Sequence, residues 1–415
     1  MIDLLCERFA IEGTLRAAAR RAYDRTRELR YDAQARVKLN VMQAFLDEGV
    51  AESDFAGSTG YGYDDAARAR YESLLARVFG TEGALARLSI VSGTHAIVTS
   101  LAACVPAGRA LVSITGRPYD TLRNAIVEHP LALATEGVVY RELALAGGAL
   151  DREGIARELE RDDVAAFFVQ RSRGYAPRPA LAVGACEAAF AAIKARRPDV
   201  AILVDNCYGE LVEEREPTHV GADLVMGSLI KNLGGSIAPA GGYVAGRRDL
   251  LDRVAARLYA PGLGDALGPT LGFGRSFIQG LFLAPLVVEQ TLRGLDFAAA
   301  LFAELGFAVD PLPGATRTDI VQAIRLGDPR RLAAFAAGLQ TAMPVNARFR
   351  PEPGPVPGYV DPVIMSSGSF VGGATIELSC DAPLREPYEV YLQGGLVAEH
   401  AMLGALKAAE AVLAT

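Results

Sequence analysis

Tryptophan is absent from the 415 residues, and cysteine and histidine are scarce, five of the first and four of the second. Cys6, Cys104, Cys186, Cys207 and Cys380 are scattered, odd in number and form no CxxC pair. That pattern excludes a disulfide framework and fits reduced thiols in the cytoplasm. His95, His129, His219 and His400 do not cluster, so no metal site is expected. Basic residues are in deficit, 42 against 49 acidic ones, for a net charge of −7. No electrostatic footprint for nucleic acid or an anionic bilayer follows. The longest uncharged stretch, Leu88 to Gly108, is broken by Ser89, Ser92, Gly93, Thr94, Thr99, Ser100 and Pro106, which disfavours a membrane span. The opening MIDLLCERFAIEGTLRAAARR lacks a basic region ahead of an apolar one and is not read as a signal peptide. Neither GxGxxG nor GxxxxGK[ST] occurs, which disfavours dinucleotide and Walker-type phosphate sites. What is present, 51% hydrophobic and 22% charged residues with 43 glycines, is ordinary globular composition, and the default partner is a small molecule.

Residues 11–48 are rich in Ala, Arg, Leu and Glu, with Val37, Val41 and Phe45 on one helical face, and predict two helices in an N-terminal arm of residues 1–60. The stretch DFAGSTGYGYDD stops that pattern, and Asp64 or Asp65 can cap a helix that ends at Gly80. From there the chain alternates apolar β-rich runs (LSIV, ALVSI, GVVYREL, AAFFVQ, AILVDN, DLVMGSL, GGYVAG) with Ala-rich helical segments. Parallel strands joined by crossover helices, covered on both faces, give such text, so residues 61–265 read as one large α/β domain. A long helical stretch near 271–305, β-like runs (TDIVQAIRL, VNARFR, ATIELSC), a helix near 329–340 and a C-terminal helix make residues 266–415 a smaller α+β domain.

Chemistry concentrates in AILVDNCYGELVEE and ADLVMGSLIKNLGGSIAPAGGYVAG. Asp205 ends one strand and Lys231 follows the next, so neighbouring strand ends aim both side chains at the crevice where open α/β sheets bind ligands. Pyridoxal phosphate needs that pair. A lysine holds the cofactor as an imine, and a carboxylate keeps its ring nitrogen protonated so that the ring can accept electrons. In SIVSGTHAIVTSL a strand, a tight Ser92-Gly93-Thr94 turn and an apolar helix present unpaired N–H groups suited to a phosphate ester, and Ser228 can add its hydroxyl. Tyr119 follows the next strand and can stack on the pyridine. Read blandly, Lys231 is a surface cation, Asp205 a turn former, SGT a plain turn and Tyr119 a half-buried core residue. Together they favour the cofactor site.

The set STGYGYDD, SGTHAI, TGRPYDTL, QRSRGY, VDNCYGE, SLIKNLGG and IELSCDAPLREPYEVYLQGG resembles the pyridoxal-phosphate enzymes of the aspartate aminotransferase type. Within them it is similar to the branch of the cystathionine lyases and methionine gamma-lyase, and to the bacterial aluminium resistance, methionine gamma-lyase-like proteins. The likeness runs from about residue 35 to the end. It implies fold type I, a mixed, mainly parallel sheet with helices on both faces plus a smaller α+β domain. It also implies Lys231 as imine lysine and base, Asp205 as ring-nitrogen carboxylate, Tyr119 as stacking residue, and Ser92, Gly93, Thr94 and Ser228 as the phosphate cradle. A Tyr-x-Arg motif reaches in from a neighbouring subunit in these lyases. Tyr61 fits its tyrosine, while Tyr63 stands where the arginine would be. The usual carboxylate-binding arginine of a late Arg-Leu-Ser is replaced in Glu377-Leu378-Ser379, and Arg173 and Arg385 are the candidates to take its place.

The expected protein is therefore a cytoplasmic carbon–sulfur lyase, releasing thiol, ammonia and a 2-oxo acid from a cystathionine- or methionine-type amino acid. Tyr119 or Tyr61 would assist protonation of the leaving sulfur. A homodimer with shared sites, extending to a tetramer, is expected from a tyrosine supplied across subunits. Transamination or retro-aldol cleavage would use the same residues, and a non-catalytic binding protein is the rival from another class.

Overall fold

The computed structural model describes all 415 residues and divides into two units, Arg36–Ala284 and Met1–Ala35 with Pro285–Thr415. In the first, β1 (Gly83–Arg87), β2 (Ala110–Ser113), β3 (Val139–Glu142), β4 (Val164–Gln170), β5 (Ala201–Asp205), β6 (Leu224–Ser228) and β7 (Gly242–Gly246) form one sheet in the order β1-β7-β6-β5-β4-β2-β3. Strands β6, β5, β4, β2 and β3 run parallel, and β7 lies antiparallel to both β1 and β6. Apart from β3 at the edge, nearly every strand residue is buried, because helices cover both faces. The core beneath the site gathers Ile97 and Leu101 of the helix Gly93–Cys104 with Phe168, Leu203, Met226 and Val244 of the sheet. This is the mixed, mainly parallel architecture expected.

The second unit carries β8 (Ala308–Asp310), β9 (Val321–Arg325), β10 (Pro353–Gly354), β11 (Val363–Ser367), β12 (Ser379–Pro383) and β13 (Glu389–Gln393), an antiparallel sheet in the order β10-β11-β12-β13-β9-β8. The helices Pro329–Gln340 and Ala398–Leu413 pack together beside it.

Several boundaries differ from the sequence reading. Three N-terminal helices form, Ile2–Arg8, Gly13–Thr26 and Asp32–Glu48, and the first two group with the smaller unit. Polar bonds at distant positions account for this: Arg21 pairs with Glu304 at 2.8 Å, and Tyr31 donates to Asp296 at 2.7 Å. At the other end the division falls inside one helix, Gly274–Glu304, so residue 265 is not the boundary. LSIV is a turn, since β1 ends at Arg87 opposite Gly242, the first residue of its antiparallel partner β7; before it lies Gly241 with φ of 108°. VNARFR is a turn around Asn346, whose φ is 59°, and the strand within ATIELSC begins only at Ser379.

Asp65 caps the helix Ala66–Phe79 and also closes the loop that holds Tyr61 and Tyr63. Its carboxylate accepts the N–H groups of Ser58, Arg68 and Thr270 at 2.8, 2.9 and 2.8 Å, and the hydroxyls of Ser58 and Thr270 at 2.7 and 2.9 Å. Burial alone would raise its pKa, yet these donors outweigh burial and hold it at about 2. Asp65→Ala should therefore cost about 3 kcal/mol, read as a lower midpoint in urea. Because the folded value is depressed, this stabilisation is full above the ordinary carboxylate range and is lost as pH falls through about 2. An unchanged midpoint in the variant would contradict the latch.

Candidate functional site

Asp205 closes β5 and Ser228 closes β6, adjacent parallel strands, with Lys231 three residues beyond Ser228. The helix Gly93–Cys104 packs on both strands, and Ser92 caps it by accepting the His95 N–H at 3.0 Å. Position 93 lies in close quarters. A Cβ there would stand 3.2 Å from Cys207 Sγ and 3.4 Å from Ser228 Cβ, so the helix start, the end of β6 and the turn after Asp205 converge. Thr94 Oγ1 lies 2.8 Å from the hydroxyl of Tyr119, and Gln170 at the end of β4 accepts the Tyr119 N–H at 2.9 Å. His95 is structural: its Nδ1 accepts the Val91 N–H at 3.2 Å.

Electrostatics tie the group together. Asp205 is 4% exposed, and its Oδ1 accepts the Cys207 N–H at 3.0 Å. Burial pushes its carboxyl up, opposed by the charge of Lys231, the Cys207 contacts and Arg178. Burial lowers Lys231, but Cys207, Tyr208, Asp205 and Tyr119 around it outweigh that and hold its amine well above the usual lysine value. The ring of Tyr208 lies 3.8 Å from Lys231 Nζ, a cation–π contact between two half-buried groups worth about 1 kcal/mol. Tyr119 is pushed well up by burial and by Asp205, so its phenol stays protonated at neutral pH and can serve as a donor.

Ser92, Gly93, Thr94, Tyr119, Asp205, Ser228 and Lys231 are thus gathered at the carboxyl edge of the sheet, as their spacing implies. Arg173 is 4% exposed, in the loop after β4, and is no surface cation; Gly174 beside it comes within 3.4 Å of Tyr119 Cβ at its Cβ position. Tyr61 and Tyr63 stand apart, 74% and 57% exposed, with their rings 6.0 Å from each other. Arg385 belongs to the smaller unit, where it pairs with Asp361 at 3.5 Å. Glu377, in that same unit, accepts the N–H groups of Phe370 and Val371 at 2.7 and 3.0 Å and so anchors a loop. Sequence reasoning missed Gln170, Arg178, Cys207 and Tyr208. Gln170 lies in QRSRGY, and Cys207 and Tyr208 in VDNCYGE, but nothing local shows that they face inward.

These residues fit pyridoxal phosphate by the chemistry of the donors. A helix start with three hydroxyl side chains at hand suits a phosphate, a buried acid suits a protonated ring nitrogen, and a primary amine suits an aldehyde. Gly93 leaves the helix start free of a side chain that would press on Cys207 and Ser228.

The profile of the family described as methionine gamma-lyase matches residues 13–413. A carbon–sulfur lyase involved in aluminium resistance from Clostridium novyi NT superposes with a TM-score of 0.92 at 38% identity, over 98% of each chain. A candidate cystathionine beta-lyase involved in aluminium resistance from Clostridium acetobutylicum does so at 0.94 and 40%, over 98% of this chain and 97% of its own. The uncharacterized protein YnbB of Bacillus subtilis is 41% identical over 87% of this chain and 86% of its own. The pyridoxal-5'-phosphate-dependent protein YhfS of Escherichia coli, at 17% identity and a TM-score of 0.63, shares the fold alone.

Proposed function

From a chain that belongs to the methionine gamma-lyase family, and whose Asp205 ends β5 and Lys231 follows the adjacent parallel strand β6 beside the start of the helix Gly93–Cys104, we propose a pyridoxal-phosphate-dependent carbon–sulfur lyase. Its substrate would be a sulfur-containing amino acid of the cystathionine or methionine type. The observation that carries the reading is the convergence of the helix start at Gly93 with the turn after Asp205 and the end of β6 at Ser228, three residues before Lys231, with Tyr119 held to Thr94 beside them.

When bound, the cofactor supplies an electron sink for the bond pair left at the substrate's α-carbon. Lys231 Nζ would hold the cofactor by its aldehyde and, as a free amine, would accept the α-proton. Asp205 would pair its carboxylate with a protonated ring nitrogen, which would offset its burial. Thr94 fixes the Tyr119 hydroxyl, and that phenol donates a proton toward the leaving sulfur. Ser92, Gly93, Thr94 and Ser228 hold the phosphate at the helix start.

A purified, yellow protein should release free thiol and a 2-oxo acid from cystathionine, cysteine or methionine. Transaminase activity without thiol release would reject the lyase reading. Arg173 is the guanidinium assigned to the substrate carboxylate, and Arg173→Ala should raise KM about 100-fold with kcat changed far less. Equal losses in kcat and kcat/KM would instead place it at the reacting atoms. The exposed Tyr61 is read as the group a second subunit receives, and a fully active monomer in sedimentation would remove that part.

A further inference from the structure

The loop that carries Arg173 leaves the sheet at Gln170, the last residue of β4, whose side chain has no part in the chemistry above. Gln170 is 4% exposed and stands in register with Asp205 on β5. Two segments meet on its amide. Oε1 accepts the N–H of Tyr119 at 2.9 Å, and Nε2 donates to the carbonyl of Ser172 at 3.0 Å. These partners settle which way the amide points, since a backbone N–H can only donate and a carbonyl can only accept. The backbone of Gln170 is fixed as well: its N–H donates to Thr115 Oγ1 at 3.1 Å, and its carbonyl accepts Arg178 Nη2 at 2.8 Å. The same Arg178 nitrogen reaches the Ser172 carbonyl at 2.7 Å, so two donors tie the loop where it begins. Gly174 closes the join. Its φ is 57°, and a Cβ there would stand 3.1 Å from Gln170 Nε2 and 3.4 Å from Tyr119 Cβ.

We propose that Gln170 is a positioning residue that fixes the spacing between Tyr119 and the loop bearing Arg173, and with it the fit of an amino-acid substrate between the two. This rests on the reading of Tyr119 as the group at the cofactor ring and of Arg173 as the partner of the substrate carboxylate. Only an amide serves both segments. Glutamate has the same shape and keeps an acceptor for the Tyr119 N–H, but its second oxygen is another acceptor turned toward the Ser172 carbonyl; methionine has about the same length and offers neither bond. A buried polar group that loses its partner costs free energy, so the segment concerned moves or opens. The two halves of the amide can therefore be removed one at a time, and each removal has its own consequence. Losing Nε2 frees the Arg173 loop, and losing Oε1 as well frees Tyr119.

Amide hydrogen exchange on the full-length, cofactor-free chain, mapped by peptide mass, reads the join without turnover. In Gln170→Glu, residues 172–176, where the Ala176 N–H is bonded to the Arg173 carbonyl, should exchange about tenfold faster than in wild type, with Tyr119 as protected as before. Gln170→Met should speed both segments. In the holoenzyme Gln170→Glu should raise KM about tenfold with kcat changed less than about threefold, and Gln170→Met should in addition weaken pyridoxal phosphate about fivefold in an absorbance titration. On an Arg173→Ala background Gln170→Glu should change KM by less than about twofold, because its effect runs through that guanidinium. Gly174→Ala presses on the same join from the loop side and carries the test if the position-170 variants do not fold; it too should raise KM, and lose that effect beside Arg173→Ala. Unaltered exchange over 172–176, an unaltered KM, or KM effects that multiply with Arg173→Ala would overturn the proposal. Borohydride separates it from the cofactor reading. An adduct on Lys231 with unaltered exchange rejects Gln170 alone; altered exchange with no adduct rejects the cofactor reading and leaves Gln170 as the joint between the two segments.

Discussion

Lys231→Ala protein should bind pyridoxal phosphate without a borohydride-stable bond and lose about 10^3-fold or more in kcat/KM. The size of the effect follows from one nitrogen serving twice, as the anchor of the cofactor and as the base. Other lysines are poor substitutes. Lys194 bonds to Asp223 and to the Val200 carbonyl, Lys407 to Glu410, and Lys38 sits in the helix Asp32–Glu48. The phosphate and ring contacts proposed for the Ser92-Gly93-Thr94 turn, Ser228, Tyr119 and Asp205 would remain. A small primary amine added to the variant should restore part of the rate, since it can enter the space left by the side chain and act as the base. Borohydride labelling of any residue other than Lys231 in the wild type would remove this lysine from the mechanism.

The site was readable where a residue's role follows from its place on a strand end. Asp205 and Lys231 lie at the ends of apolar runs, and parallel strands must deliver such ends to one edge, so their meeting needed only the β-α alternation. A cap at Asp64 or Asp65 and a stop at Gly80 were readable, because a capping carboxylate and a left-handed glycine are local devices, and the structure selects Asp65. The sheet order was not, because β7 inserts between β1 and β6 and no local pattern encodes that insertion. The same strand explains why LSIV is a turn: β1 stops opposite the first residue of β7. Nor could sequence show that Arg173 is buried or that Glu377 spends its carboxylate on two backbone amides, since both depend on how loops fold back. Its two amide donors give Glu377 a structural role within its own unit.

Asp205→Asn is expected to reduce kcat/KM by about 10^2 to 10^3 while leaving the fold intact. Asparagine has the same shape, and its oxygen can still accept the Cys207 N–H, so the turn that carries Cys207 and Tyr208 keeps its anchor. What it cannot do is carry the negative charge that holds a proton on the cofactor's ring nitrogen. The stability control has a definite sign. Burial raises the folded pKa of Asp205, so between its unfolded and folded values the native state binds the extra proton, and stability falls as pH rises through that window. A neutral amide removes this liability, and cofactor-free Asp205→Asn should melt no lower than wild type at neutral pH. Lost activity with unchanged melting therefore isolates the charge. Asp205→Glu, which keeps the charge but lengthens a buried side chain whose Oδ1 is fixed on the Cys207 N–H, should recover only a fraction. An asparagine variant within fivefold of wild-type turnover would mean that the ring nitrogen does not need this acid, and another reaction of the cofactor, or another partner for it, would have to be sought.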